Sequence, residues 1–314
     1  MRRRPLGKTG LNVTELGLGT WGLSGDGYGP VPEAEQDQVI DRARALGITL
    51  FETADSYAHG GMERKLGERL KDDKRARIVT RIGTDRDAIP PKKRFDPEYL
   101  RTAVERSAER LGRDAIDVVL LHNPSEVAME KREATALLSE LKQAGKIRAW
   151  GVSAGTRSVA SAAVDQGAEV LSLAYNALYR SDLDQLLEVV AEADVGVLAH
   201  SVLGYGLLCG HWAPSKSFGL GDHRAERWTG DELRRRIRQL DAIRPLIGGE
   251  VLSLRGGAVR FVLHNEAVSS ALLGPRNTIQ LDQLVREAGK GPPYLEEDKL
   301  TALENRLRDV GVGV

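Results

Sequence analysis

The sequence predicts an α/β fold, a (β/α)₈ TIM barrel with an N-terminal hairpin cap and extra C-terminal helices. Three observations point there. Short apolar segments alternate with segments of helical period about eight times along 314 residues. No composition shift or linker divides them, so residues 1–314 read as one domain. Polar and titratable residues recur just past the apolar segments, as they do where parallel strands deliver side chains to one rim. An open doubly wound sheet is the alternative arrangement of the same units.

Residues 1–12 carry Gly7 and Gly10 among few apolar side chains and predict a short hairpin. Leu16–Thr20 reads as the first strand, and Gly17-Leu-Gly-Thr-Trp-Gly22 spells G-x-G-x-x-G. That fingerprint requires a helix to open at once, whereas Ser24–Pro30 is rich in glycine and reads as loop, which disfavours a Rossmann domain. A helical period starts at Glu33 and stops at Gly47, and the next strand spans 48–52. Helices are then expected at 62–71, 97–111, 131–144, 158–166 and 183–193. Strands are expected at 78–82, 116–122, 147–153, 170–175 and 195–201. Residues 204–231 break the rhythm with glycine, His211, Trp212, His223 and Trp228, a length typical of a lid or binding loop. Helices at 231–246 and 257–264, a strand at 268–273, and helices at 279–287 and 296–310 complete the chain.

Composition narrows the function classes. Lys plus Arg equal Asp plus Glu at 45 each, so no global field favours nucleic acid or an acidic membrane surface. No apolar run reaches the ~20 residues of a membrane span, and the basic start lacks a signal peptide's apolar core. The single Cys209 fits a reducing compartment, and a cytoplasmic protein is expected. Six scattered histidines show no metal-ligand spacing, and no feature specifies an oligomeric state.

The expected strand ends bring together Thr20 and Trp21, Glu52 and Tyr57, Arg81, His122, Ser153, Asn176, His200 and Ser201, then Gly274 and Arg276. Arg81 interrupts Ile78-Val-Thr-Arg-Ile82 and His122 follows Val118-Val-Leu-Leu121. A charge within such runs needs a partner. One such histidine alone is more often a satisfied core residue, but four titratable groups on one rim point to proton-transfer chemistry.

Ordered motifs along nearly the whole chain resemble the aldo-keto reductase family: Arg4-Pro-Leu-Gly-Lys-Thr-Gly-Leu11, Leu16-Gly-Leu-Gly-Thr-Trp21, Thr53-Ala-Asp-Ser-Tyr57, Asp117-Val-Val-Leu-Leu-His122, Gly151-Val-Ser153, Tyr175-Asn176, Ser201-Val-Leu-Gly-Tyr-Gly-Leu-Leu208 and Gly274-Pro-Arg-Asn-Thr-Ile-Gln280. The resemblance implies an NADPH-linked reductase of small-molecule carbonyls that needs no metal. Its Asp, Tyr, Lys and His tetrad would fall on Glu52, Tyr57, Arg81 and His122, with Glu for Asp and Arg for Lys. A longer acid facing a wider cation could restore the ion pair, although arginine, unlike lysine, stays protonated throughout. Cofactor contacts would fall on Gly19, Thr20, Trp21, Ser153, Ser172, His200, Ser201, Leu203, Gly206, Gly274, Arg276, Gln280 and Gln283. Here too the pattern departs: Ser153-Ala154 replaces Ser-Asn at the carboxamide, Ser172 replaces Gln, His200 replaces the tyrosine that stacks on nicotinamide, and Gln283-Leu284 replaces Glu-Asn. Trp21, Tyr28, Trp212 and Trp228 are expected to border the mouth and favour flat substrates. A cofactor-binding scaffold without turnover, and a lyase or epimerase using Tyr57 and Glu52, are the competing readings.

Overall fold

The computed structural model describes residues 1–313. Eight parallel strands close into a barrel: β1 (Leu16–Gly19), β2 (Leu50–Ala54), β3 (Arg77–Ile82), β4 (Ile116–His122), β5 (Ile147–Ser153), β6 (Val170–Ala174), β7 (Gly196–His200) and β8 (Val268–Leu273). Closure comes from β8 pairing with β1, Leu273 opposite Leu18. Parallel neighbours need crossover helices, and the expected helices lie between the strands, with Pro97–Leu111 and β4, β5 and β8 falling where the sequence placed them.

Side-chain alternation explains the core. Leu50, Val79, Val118, Leu120, Ala149, Val170, Leu198 and Leu272 form an inner cluster with Leu6 and Val13. Their sequence neighbours Phe51, Ile78, Val119, Leu121, Trp150, Leu171 and Val197 belong to the larger cluster beneath the helices. The antiparallel hairpin Arg3–Pro5 with Asn12–Thr14 carries Leu6 and Val13 into the base of the barrel. Gly7 permits this docking, because a Cβ there would lie 2.3 Å from the Gly196 nitrogen. Gly151 is required for a similar reason, since a Cβ would stand 1.8 Å from the Val170 carbonyl oxygen where β5 meets β6.

Several elements differ from expectation. The second strand runs Leu50–Ala54 rather than 48–52, because its ladder to β3 continues to Ala54 opposite Arg81 while the Thr49 amide is capped by Thr14 Oγ1. Glu52 therefore sits mid-strand, one layer below the rim. A four-residue helix, Trp21–Ser24, follows β1 before Gly25 ends it, where the sequence read only loop. The helix expected at 131–144 is Glu133–Gln143, and a separate short helix that the sequence did not show, Glu126–Glu130, precedes it across Arg132, which is in a left-handed conformation. The helix expected at 183–193 is split into Ser181–Asp184 and Leu187–Glu192. Thr84–Asp85 pairs with Lys92–Lys93 in a small hairpin beyond β3 that the proline-rich sequence concealed. The long loop is partly ordered: Gly204–Cys209 and Arg224–Arg227 form helical turns, and Gly230–Ile243 is capped by Thr229.

Candidate active site

The inner layer continues upward by the same two-residue period. Two residues beyond Leu50 comes Glu52; beyond Val79, Arg81; beyond Leu120, His122; beyond Val170, Ser172; beyond Leu198, His200. Each polar residue thus faces the barrel axis because the apolar one below it does. Above them opens a cavity of about 850 Å³ lined by Glu52, Tyr57, Arg81 and His122 at one side and by Gly274, Arg276 and Gln280 at the other.

Arg81 Nε lies 2.8 Å from Glu52 Oε1, with both side chains buried, so the two expected departures from the tetrad do meet as an ion pair. A terminal nitrogen of Arg81 donates to Ser172 Oγ at 3.2 Å, and Ser172 Oγ lies 3.2 Å from His200 Nδ1. One chain of contacts therefore runs Glu52–Arg81–Ser172–His200 across the barrel, joining four positions at which this sequence departs from the pattern it resembles. The Tyr57 and His122 rings pack edge to face, 6.1 Å between centroids.

Burial dominates the electrostatics. It pushes the Tyr57 phenol well above its ordinary value, helped by the Glu52 charge and opposed by Arg81. Burial also raises the Glu52 carboxyl, with Arg81 opposing it, whereas burial lowers Arg81 but Glu52, Tyr57 and Tyr205 together hold it above its ordinary value. His122 is held well below its ordinary value by burial and by the charges of Lys93 and Arg81. His200 falls to about 3, through burial, Arg81 and Arg227. Both imidazoles are neutral near pH 7.

Of the other expected contacts, Gly19, Trp21, Ser201, Leu203, Gly206 and Gln283 line the cavity, while Thr20, Ser153 and Ser172 do not. Thr20 has the parity of Leu16 and Leu18 and is buried in the wall; Ser153 Oγ donates to Asn123 Oδ1; Ser172 lies behind Arg81 and His200. Arg276 donates to the carbonyls of Tyr28, Gly29 and Pro30, and Gln283 accepts from Arg255, which also pairs with Glu287. Trp21 and Tyr28 border the mouth as expected, but Trp212 and Trp228 do not. They pack behind, with Trp228 buried against Tyr205 and Arg224 spread over Trp212.

Sequence reasoning missed Lys93, Arg86, Asn123, Tyr205 and Arg227 in this cavity. Lys93 Nζ donates to the His122 carbonyl at 2.8 Å and to Thr84 Oγ1, and burial with Arg81 nearby lowers it to about 8 against the pull of Asp55. Asn123 carried a usable signal, an asparagine directly after a strand, and it adopts a left-handed conformation. Among the described residues, five of seven non-glycine residues with positive φ (Ala58, His59, Asn123, Ser201, Tyr205) lie in loops that follow β2, β4 and β7. Backbone strain thus gathers at the end of the barrel that carries the cavity.

The sequence model of the Aldo/keto reductase family matches residues 15–291. The chain belongs to this family. It is 27% identical over 323 aligned residues to a pyridoxal 4-dehydrogenase of Microbacterium luteolum, covering 90% of this chain and 92% of that one. It is 28% identical to an NADH-specific methylglyoxal reductase of Escherichia coli, covering 87% and 89%. Among solved structures, the glycerol dehydrogenase AKR11B4 of Gluconobacter oxydans superposes with a TM-score of 0.83 at 25% identity over 99% of this chain and 97% of that one. The holo form of aldo-keto reductase AKR11C1 from Bacillus halodurans superposes at 0.81 over 98% and 96%, with 22% identity. This aldo-keto reductase is therefore an oxidoreductase by family. No helix among its described residues is long and apolar enough to cross a membrane.

The cavity has features that suit a nicotinamide dinucleotide. Its lining includes a neutral imidazole at His200 and the Arg276 cation. Arg276 has no carboxylate within ion-pair distance among the described residues, and its terminal nitrogens are held by the three loop carbonyls. Gly274 leaves open space where a side chain would stand.

Proposed function

We propose that this chain catalyses NADPH-dependent reduction of a small-molecule aldehyde, ketone or sugar carbonyl, or the reverse oxidation, with Tyr57 as the proton donor. The observation that carries the proposal is the convergence of Tyr57, His122 and a buried Glu52–Arg81 pair on one cavity that extends to Arg276. The bound nicotinamide supplies the hydride. The protein supplies the proton and the field around it.

With its phenol raised, Tyr57 remains protonated at neutral pH and can donate a hydrogen bond to a carbonyl oxygen. As that oxygen gains negative charge, the proton leaves the Tyr57 hydroxyl, and the fixed Arg81 guanidinium stabilises the phenolate left behind. Arg81 cannot give up a proton of its own, so its part is charge and position. Glu52 keeps that charge in place. His122 is neutral and retains one ring N–H for the same oxygen. The Arg276 guanidinium favours the 2′-phosphate of NADPH over NADH. The whole chain acts as one domain in this reading, in the cytoplasm, without nucleic acid or membrane as a partner.

The test is consumption of NADPH and of NADH by the purified chain over a panel of aldehydes, ketones and sugars. Faster oxidation of NADPH with at least one carbonyl is expected. Binding of cofactor without turnover would favour a scaffold. Conversion of a substrate with no cofactor consumed would favour a lyase or epimerase. Preference for NADH would remove the role given to Arg276.

A further inference from the structure

Ser172 is fully buried, so its hydroxyl proton needs an acceptor. Its oxygen already accepts from Arg81 at 3.2 Å, and the acceptor left within reach is His200 Nδ1, also at 3.2 Å. Arg81 is a donor in every protonation state, which fixes the direction of the pair: Arg81 donates to Ser172, and Ser172 donates to His200. A neutral imidazole that accepts at Nδ1 carries its proton on Nε2. His200 lines the cavity, and its Nε2 has no partner among the described residues. Of the neighbouring polar groups on the adjoining strands, Ser153 Oγ is taken by Asn123 Oδ1, and the Asn176 amide by the Ser201 carbonyl and its own turn. Residue 154 is an alanine and offers no polar atom.

We propose that His200 is a hydrogen-bond donor to the cofactor, its Nε2–H directed at the carboxamide oxygen of the nicotinamide, and that Arg81 and Ser172 are positioning residues that hold this tautomer. The assignment rests on the cofactor reading above. It gives the Glu52–Arg81–Ser172–His200 chain a purpose at both ends. Glu52 seats the guanidinium beside Tyr57, and the other arm of that guanidinium, through Ser172, orients the His200 ring. The matching ligand group is a neutral acceptor, since burial, with the guanidiniums of Arg81 and Arg227, keeps His200 from becoming a cation.

Two measurements test this. In the ligand-free chain, nitrogen NMR of ¹⁵N-labelled histidine should show His200 with an unprotonated Nδ1 and a protonated Nε2, and Ser172→Ala should release that preference. A protonated Nδ1 in the unaltered chain would overturn the proposal. Fluorescence titration with NADPH should then show His200→Phe, which keeps a flat ring and loses the donor, binding about tenfold more weakly, the size of one hydrogen bond. His200→Gln restores an N–H and should recover most of that loss. Equal affinity in His200→Phe, or no recovery in His200→Gln, would mean that the ring acts as a stacking surface alone. Failure of the unaltered chain to bind either NADPH or NADH would instead defeat the cofactor reading itself, leaving the ligand-free spectrum to report the tautomer independently.

Discussion

Replacing Glu52 by leucine isolates the buried charge pair. Both side chains lie inside the barrel, at 4% and 8% exposure, and Arg81 Nε is 2.8 Å from the carboxylate. Without Glu52 the guanidinium keeps one neutral partner, Ser172 Oγ, and no opposing charge. Leaving a buried charge uncompensated costs about 3–5 kcal/mol. With an unfolding entropy near 2.1 cal/mol/K per residue, a chain of 314 residues has about 0.66 kcal/mol/K, so thermal unfolding should fall by about 5–8 °C. Removing both charges in Glu52→Leu/Arg81→Met should return stability to within about 1 kcal/mol of the unaltered protein, because two buried charges that attract each other also cost their hydration. Differential scanning calorimetry on the parent and the two variants reads both numbers. If Glu52→Leu melts within about 1 °C of the parent, Arg81 is not dependent on that carboxylate and the pairing argument fails.

Other consequences follow from the same geometry. Arg81→Lys should lower kcat by at least tenfold, because a shorter ammonium cannot hold both Glu52 and Ser172, and Glu52→Asp added to it should restore part of the rate; a double variant slower than both singles would contradict compensation. Gly151→Ala should destabilise by about 3 kcal/mol or more in urea titration, since the new Cβ meets the Val170 backbone at 1.8 Å and β5 must part from β6. Asp55, raised to about 7 mainly by burial, gives stability that is fully present below about pH 4 and lost as pH rises through 7. Relative to Asp55→Asn, the parent should therefore lose up to about 1.4 kcal/mol per pH unit across that interval, and parallel pH profiles would contradict the shift.

The barrel was legible because its signal repeats. Strands such as Ile116–His122 and Val268–Leu273 are bounded by turns, and alternation within them is a local property. The same alternation made Arg81 and His122 conspicuous, since each occupies an inward position that its neighbours fill with Val and Leu. What escaped was non-local. Ile48 and Thr49 are as β-prone as their followers, and only the pairing of Ala54 with Arg81 moves the strand forward. Lys93 enters the cavity through a hairpin of four paired residues flanked by prolines, which has no period to detect. Trp212 and Trp228 read as mouth residues because aromatics in a glycine-rich loop suggest contact with ligand; packing against Phe218, Arg224 and Tyr205 claims them instead. The route from Arg81 through Ser172 to His200 crosses three strands and is invisible to any window along the chain.

The account stands most directly on Tyr57. Removing one hydroxyl in Tyr57→Phe, with cofactor affinity measured by fluorescence titration and turnover by cofactor oxidation on the same preparation, separates chemistry from binding. Cofactor affinity should remain within about twofold, because the ring and its contact with His122 are retained, while turnover should fall by at least about 100-fold with loss of the proton donor. Turnover equal to that of the parent would show that the proton comes from elsewhere, and the proposed chemistry would be wrong.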